Sequence, residues 1–160
     1  MEIRDLYDDN KKLTNETIKK GEKVPKGRYY ITVVVWIENS NNEFLIQKTS
    51  KQKGSYYSTT GGHVIHNETP IESIIREIKE ELGLTIGKDN IKFINQEKHP
   101  QAPCLFNIYE LNMNIDISNL TLQKEEVEKV QWLTKEEVLK LIENKNFLES
   151  HGYLFKKYYK

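Results

Sequence analysis

Three glutamates, Glu77, Glu80 and Glu81, stand at i, i+3 and i+4 in a segment whose apolar residues recur with a helical period. On a helix this spacing makes the carboxylates neighbours, and each like-charged pair destabilises an isolated helix by about 0.2–0.5 kcal/mol. A cation bridging them reverses that sign. Oxygen donors unaccompanied by Cys or His suit hard ions, meaning Mg²⁺, Mn²⁺ or Ca²⁺, rather than zinc. The pair Gly61-Gly62 precedes this acidic arc and permits close backbone approach to a ligand. The competing reading is a solvated acidic face on an amphipathic helix. Its apolar stripe centres on Ile71, Ile78 and Leu82, and Arg76 and Lys79 point to the side away from the acids.

Around the glutamates, Gly62, Glu68, Arg76, Glu77, Ile78, Glu80, Glu81, Gly83 and Leu84 fill every constrained position of Gly-x5-Glu-x7-Arg-Glu-U-x-Glu-Glu-x-Gly-U, where U is a bulky aliphatic residue. This pattern is the Nudix box. A chance match in a chain of this length is on the order of one in 10⁷ from average residue usage, so the chain resembles the Nudix hydrolase family. The resemblance implies an α/β fold, the Nudix-type α/β/α sandwich with a mixed sheet. It implies a hydrolase that cleaves the diphosphate linkage of a nucleoside diphosphate derivative, or of a related organic diphosphate, by attack of water at phosphorus. It implies Mg²⁺ or Mn²⁺ as cofactor and Glu77, Glu80 and Glu81 as the catalytic carboxylates. Carried over by position, Glu80 and Glu81 are metal ligands joined by the carbonyl of Gly61. Glu77 is either a further ligand or the group that activates the attacking water. Gly62, Glu68, Arg76 and Gly83 are structural, with Arg76 pairing to Glu68 or Glu77. A more distant carboxylate completes such sites, and Glu126, six residues before Trp132, is the first candidate, with Glu125 as the alternative.

Two variable positions depart from common members of the family: Ile65 replaces a frequent Glu and Asn67 a frequent Gly. The first bears on substrate choice more than on activity. Two other functions compete with a hydrolase. One is a nucleotide-binding sensor without catalysis, although such domains tend to lose box glutamates that this chain retains. The other is chemistry like that of isopentenyl diphosphate isomerase, which uses a cysteine near its Gly-His pair, where this chain has Gly61. Cys104 reads instead as a small apolar strand residue. His63 and His66 flank the site, in structural loop roles or, as the alternative, in contact with phosphate or a base, and His99 and His151 have no supporting context.

Composition narrows the class. With 24 Lys+Arg against 24 Asp+Glu, the formal charge is zero, which removes the attraction that binders of nucleic acid polymers use. A small anionic nucleotide or diphosphate remains a suitable partner. The balance is local: Glu68–Glu81 holds five acids and two bases, whereas Lys11–Arg28 holds seven bases and two acids. The lone cysteine excludes an internal disulfide and suits a reducing compartment. The longest apolar run, Val33–Ile37, is far too short for a membrane span, and the polar start reads as no signal peptide. The expectation is a cytoplasmic protein, compatible with a homodimer formed through its N-terminal extension or first strands.

The elements that must position the glutamates are also legible. Residues 1–28 read as an N-terminal extension, an edge strand at Ile3–Asp8 followed by a solvated basic segment, packed on a Nudix hydrolase domain at 29–160. A strand covered on both faces is expected over Tyr29–Ile37, with Phe44–Gln47 as its hairpin partner. Thr69 and Glu72 form a capping box, Pro70 takes the first helical position and Gly83 ends the helix, which predicts a helix over 70–82. Further strands are expected at Ile91–Gln96, Cys104–Met113 and Val127–Trp132. A second capping box, Thr134 with Glu137, opens a helix to about Ile142, and Phe147–Lys160 reads as a short docked helix.

Overall fold

Alternation decides the architecture. Within β3 (Tyr30–Glu38), a run of β-branched and aromatic residues, Val33 and Val35 point into one core while Val34 and Trp36 point into another. Period-2 alternation with both faces apolar requires a cover on each side of the sheet. The covers are helices. α1 (Pro70–Leu82) lays Ile74, Ile78 and Leu82 on the first face, and α2 (Lys135–Glu143) and α3 (Glu149–Tyr159) lay Val138, Leu154 and Phe155 on the second. The fold is a mixed α/β sandwich, described for residues 2–160 in a computed structural model.

The remaining strands are β1 (Ile3–Tyr7), β2 (Leu13–Lys19), β4 (Glu43–Thr49), β5 (Tyr57–Ser58), β6 (Thr60–His63), β7 (Ile91–Lys98), β8 (Cys104–Asn112) and β9 (Val127–Thr134). β3 runs parallel to β8 from Tyr30↔Cys104 to Glu38↔Asn112 and antiparallel to β6. β7 pairs antiparallel with β8. β4 leaves β3 after a single pairing, Glu38↔Phe44, and then pairs antiparallel with β5 and β9. The expected β3–β4 hairpin therefore exists only at its turn. The strand that fills the place beside β3 is β6, which carries the glycine pair and has too little apolar content to announce itself.

The N-terminal segment also differs from expectation. Leu13–Lys19 is solvated, with most of its residues exposed, but it is also a strand, antiparallel to β1. The hairpin is tied to the body by reciprocal backbone hydrogen bonds between Tyr7 and Tyr29, 2.7 and 2.9 Å, and by His66 N–H donating to the carbonyl of Ile3 at 2.8 Å. Arg4, 8% exposed, pairs with Glu2 at 2.8 Å and lies over the Tyr30 ring, 5.0 Å from its centroid. No helix among the described residues is long and apolar enough to cross a membrane.

Candidate active site

α1 is held at both ends. At its start the Thr69 hydroxyl accepts from Glu72 N–H at 3.3 Å, and the Glu72 carboxylate accepts from Thr69 N–H at 2.9 Å. At its end Gly83 adopts φ 71° and its N–H donates to the Lys79 carbonyl at 2.9 Å, while a Cβ there would lie 2.9 Å from Thr121. The buried stripe between these caps centres on Ile74, Ile78 and Leu82, with Ile71 and Ile75 at its margins. That rotation carries Glu81 inward with the stripe, to 7% exposure. Glu80 stays outside, with its side chain 47% exposed.

Glu81 meets three kinds of neighbour. Its Oε1 accepts from Gln47 Nε2 at 2.8 Å, and the Gln47 carbonyl oxygen accepts from the Thr60 hydroxyl at 2.9 Å. It shares a hydrogen bond with Glu77, one turn earlier, and the charge of Glu126 acts on it from the β9 side of the cleft. Burial, followed by the neighbouring Glu77, pushes the Glu81 carboxyl well above the usual range; burial raises Glu77 as well. Glu77 lies against the backbone of Gly62, where any Cβ would overlap its carboxyl. Gly61, pairing with Val34, is equally confined, because a Cβ would sit 2.6 Å from the Val33 carbonyl.

Arg76 does not point away from the acids. Its Nε donates to Glu68 at 2.8 Å, one terminal nitrogen donates to Glu77 at 2.9 Å and to Glu80 at 3.2 Å, and the other donates to the His63 carbonyl at 3.2 Å. Glu68 also accepts from the Ser73 hydroxyl. The guanidinium therefore fastens the β6–α1 loop to the helix and pairs with both Glu68 and Glu77. The helical wheel misplaces it because long side chains lean toward the N-terminal turn and sweep across faces.

Gly61, Gly62, Glu81 and Glu126 line one cleft of about 340 Å³. Glu126 reaches it and pairs with Lys53 at 3.4 Å. Glu125 is exposed, its carbonyl accepts from the Ser50 hydroxyl at 2.7 Å, and it is not among the residues lining the cleft. No three acidic, His or Cys side chains among the described residues converge into a closed cage: Glu80 leans to Arg76, Glu77 and Glu81 face each other, and Glu126 stands with Lys53. The donor set nevertheless fits a hard divalent ion. It is oxygen-only, and Glu81 is a buried carboxylate whose hydrogen-bonding partners are a neutral amide and another carboxyl.

Sequence reasoning missed several residues of this cleft. Gln47 had one signal, a lone polar side chain on the Phe44-Leu45-Ile46-Gln47 strand. His99 and His151, which had no supporting context, line the cleft together with His63, which was expected to flank it. Nδ1 of His151 accepts from Thr59 N–H at 3.3 Å, and burial holds its pKa down to about 4. Cys104 is buried, as expected for a small strand residue, and its thiol donates to the Thr32 hydroxyl at 3.1 Å; remote in sequence from the glycine pair, it nonetheless lines the same cleft. His66 lies outside it, held to Asp5 at 2.7 Å.

The comparisons with known proteins agree with this geometry. The family model described as the NUDIX domain matches residues 28–156. An uncharacterized Nudix hydrolase of Listeria innocua is 34% identical over 92% of this chain and 89% of its own length. An 8-oxo-dGTP diphosphatase of Proteus vulgaris is 32% identical over a shorter stretch, 38% of this chain and 55% of its own length. In fold, a Deinococcus radiodurans crystal structure superposes with a TM-score of 0.83 at 21% identity, covering 99% of this chain and 100% of that one. Nudix hydrolases generally require divalent metal ions and act on small nucleotide substrates. The chain belongs to the Nudix family and is a Nudix pyrophosphohydrolase.

Proposed function

We propose that the chain is a Mg²⁺- or Mn²⁺-dependent hydrolase of nucleoside diphosphate derivatives, working from the Nudix domain at 29–160 with residues 1–28 as an extension docked on it. The observation that carries this reading is the buried Glu81 carboxylate, paired to no base and set beside Glu77 and Glu126. In this proposal Glu80, Glu81, Glu126 and the Gly61 carbonyl hold the ion, and Glu77 serves the attacking water. Bound there, it would neutralise the diphosphate and acidify water near neutral pH.

The protein's own groups do the rest. Gln47 fixes one oxygen of Glu81, and Glu77 shares a hydrogen bond with the same carboxyl. Arg76 holds Glu77 against Gly62 and keeps the loop from drifting, so the carboxylates are positioned before substrate arrives. Glu77, neighbour to Glu81 and raised by burial, accepts the proton of the attacking water, which then strikes phosphorus in line with the leaving oxygen. The one buried cysteine suits a reducing compartment, in keeping with a cytoplasmic enzyme.

A panel of nucleoside diphosphates, their sugar and dinucleotide conjugates, 8-oxo-dGTP and base-free organic diphosphates tests the reading. Phosphate or monophosphate release is measured with Mg²⁺, with Mn²⁺ and with chelator. Metal-dependent release is expected. Tight metal-dependent nucleotide binding with no turnover on any member would establish the sensor instead.

A further inference from the structure

The aromatic and basic C-terminal segment borders a cavity that hydrolysis at the carboxylates leaves unused. It lies between α3, the end of α2 and the β4–β5 loop, and its volume is about 630 Å³. That is well within the range of small-ligand sites, roughly 300–1,000 Å³. One stripe of α3 forms a wall, with Glu149, Gly152, Tyr153 and Lys156 at i, i+3, i+4 and i+7. Tyr56, Ile142, Lys145 and Phe147 supply the rest of the argument's lining. None of Gly61, Gly62, Glu81 and Glu126 reaches it.

We infer that this cavity is a second binding site, for a small aromatic compound carrying one anionic group. Its surroundings are fixed before any ligand arrives. Phe147 is buried and stacks on Trp36, centroids 6.5 Å apart and planes 17° from parallel, so the floor is continuous with the core. The strand β5 straps that floor in place, because Tyr57 N–H donates to the Asn146 carbonyl at 2.9 Å and Leu148 N–H to the Tyr57 carbonyl at 2.7 Å. At Gly152 a Cβ would come 3.3 Å from Ile142, so the glycine lets α3 pack close against the end of α2. The Tyr56 ring is held too. It lies on the backbone of Gly54, at φ 105°, where a Cβ would come 2.5 Å from the ring. Tyr56 and Tyr153 are nonetheless 44% and 40% exposed, which leaves ring surface for a ligand to cover.

Charge decides what else the ligand carries. Lys145 and Lys156 line the cavity against one acid, Glu149, which leaves an excess of one positive charge. Neither lysine enters an ion pair among the described residues. Glu149 and Lys156 stand seven residues apart on α3, about 10 Å along its axis, so the acid does not neutralise that ammonium group. The carboxylate cleft is the reverse case, since no Lys or Arg lines it among the described residues. Phosphate alone would pair with a lysine and leave the apolar floor wet. A neutral ring would cover the floor and leave the ammonium groups unpaired. A ring bearing one phosphate or carboxylate group does both.

The test is a titration of the isotope-labelled full chain with phenyl phosphate in the presence of Mg²⁺, followed through amide chemical shifts. Inorganic phosphate and benzyl alcohol, each holding half of the ligand's chemistry, are the controls. Saturable shifts are expected at the Gly152, Tyr153 and Lys156 amides, with a midpoint at least about fivefold below that of either control. Lys156→Gln and Tyr56→Ala each raise the midpoint by about fivefold, whereas Lys156→Arg restores it. Glu81→Gln, a change in the other cleft, leaves it unaltered. The inference is overturned by shifts confined to Gly61 and Gly62, by no saturation, by equal midpoints for all three compounds, or by variants that titrate like wild type. Phenyl phosphate contains no diphosphate linkage, so these outcomes are independent of whether the chain hydrolyses one.

Discussion

Gly62 shows how little room the chemistry leaves. It belongs to the box as an unvarying position, but its structural reason is the Glu77 carboxyl lying directly on its backbone. Gly62→Ala must push that carboxyl aside, and the group displaced is the far end of a flexible side chain. The expected result is a folded protein with turnover lowered on the order of 10²-fold, its thermal melting point within a few degrees of wild type. Wild-type kinetics in this variant would remove Glu77 from the site. The motif alone offered Glu68 or Glu77 as the partner of Arg76, and the guanidinium bonds to both, at 2.8 and 2.9 Å. Gln47, His99 and His151 could not be assigned, because each reaches the cleft from a different strand, loop or helix and only tertiary packing brings them into the cleft that Glu81 lines.

At the scale of elements, legibility follows locality. α1 and α2 appear with their capping boxes in place, Thr69 with Glu72 and Thr134 with Glu137, because caps and a 3.6-residue period are written in adjacent residues. β6 and the departure of β4 toward β9 were not legible, since pairing partners are chosen by the whole sheet. β2 was hidden for another reason: a mostly exposed strand carries no apolar alternation. The junction at Gly83 is the element-scale test. A side chain there must take a positive φ and also press on Thr121. Gly83→Ala should therefore lower unfolding free energy by about 1–3 kcal/mol in urea denaturation, with Glu81 less well held and turnover reduced alongside. Unchanged stability would mean that the helix end does not depend on this turn. Arg4 ties the N-terminal hairpin to Tyr30, a wall of the cleft. Arg4→Ala leaves Glu2 half-buried without its partner and should cost roughly 1–3 kcal/mol, read by the same titration.

Across the whole molecule, the neutral total charge resolves into an acidic cleft wall and a basic margin, and α1 on one face and α2 with α3 on the other keep the sheet dry. The dry side imposes a pH dependence. Burial holds His151 at about 4 in the folded protein against 6.5 for an unburied histidine. Between those values the unfolded chain binds a proton that the folded chain refuses, so stability rises with pH. It is fully present above 6.5 and is lost as the pH falls toward 4. At about 1.4 kcal/mol per pH unit, this group accounts for about 2 kcal/mol between pH 7 and pH 5. Urea titrations at the two pH values should show a loss smaller by about that amount in His151→Gln than in wild type; equal losses would contradict the assignment. The central claim, that a buried oxygen cluster runs the hydrolysis with a divalent ion, concentrates on Glu81. Glu81→Gln keeps the shape and removes the charge. Initial rates on the best nucleoside diphosphate derivative, titrated with Mg²⁺ or Mn²⁺, should fall at least ~100-fold with no loss of melting temperature. Wild-type rates with an unchanged metal titration curve would contradict it.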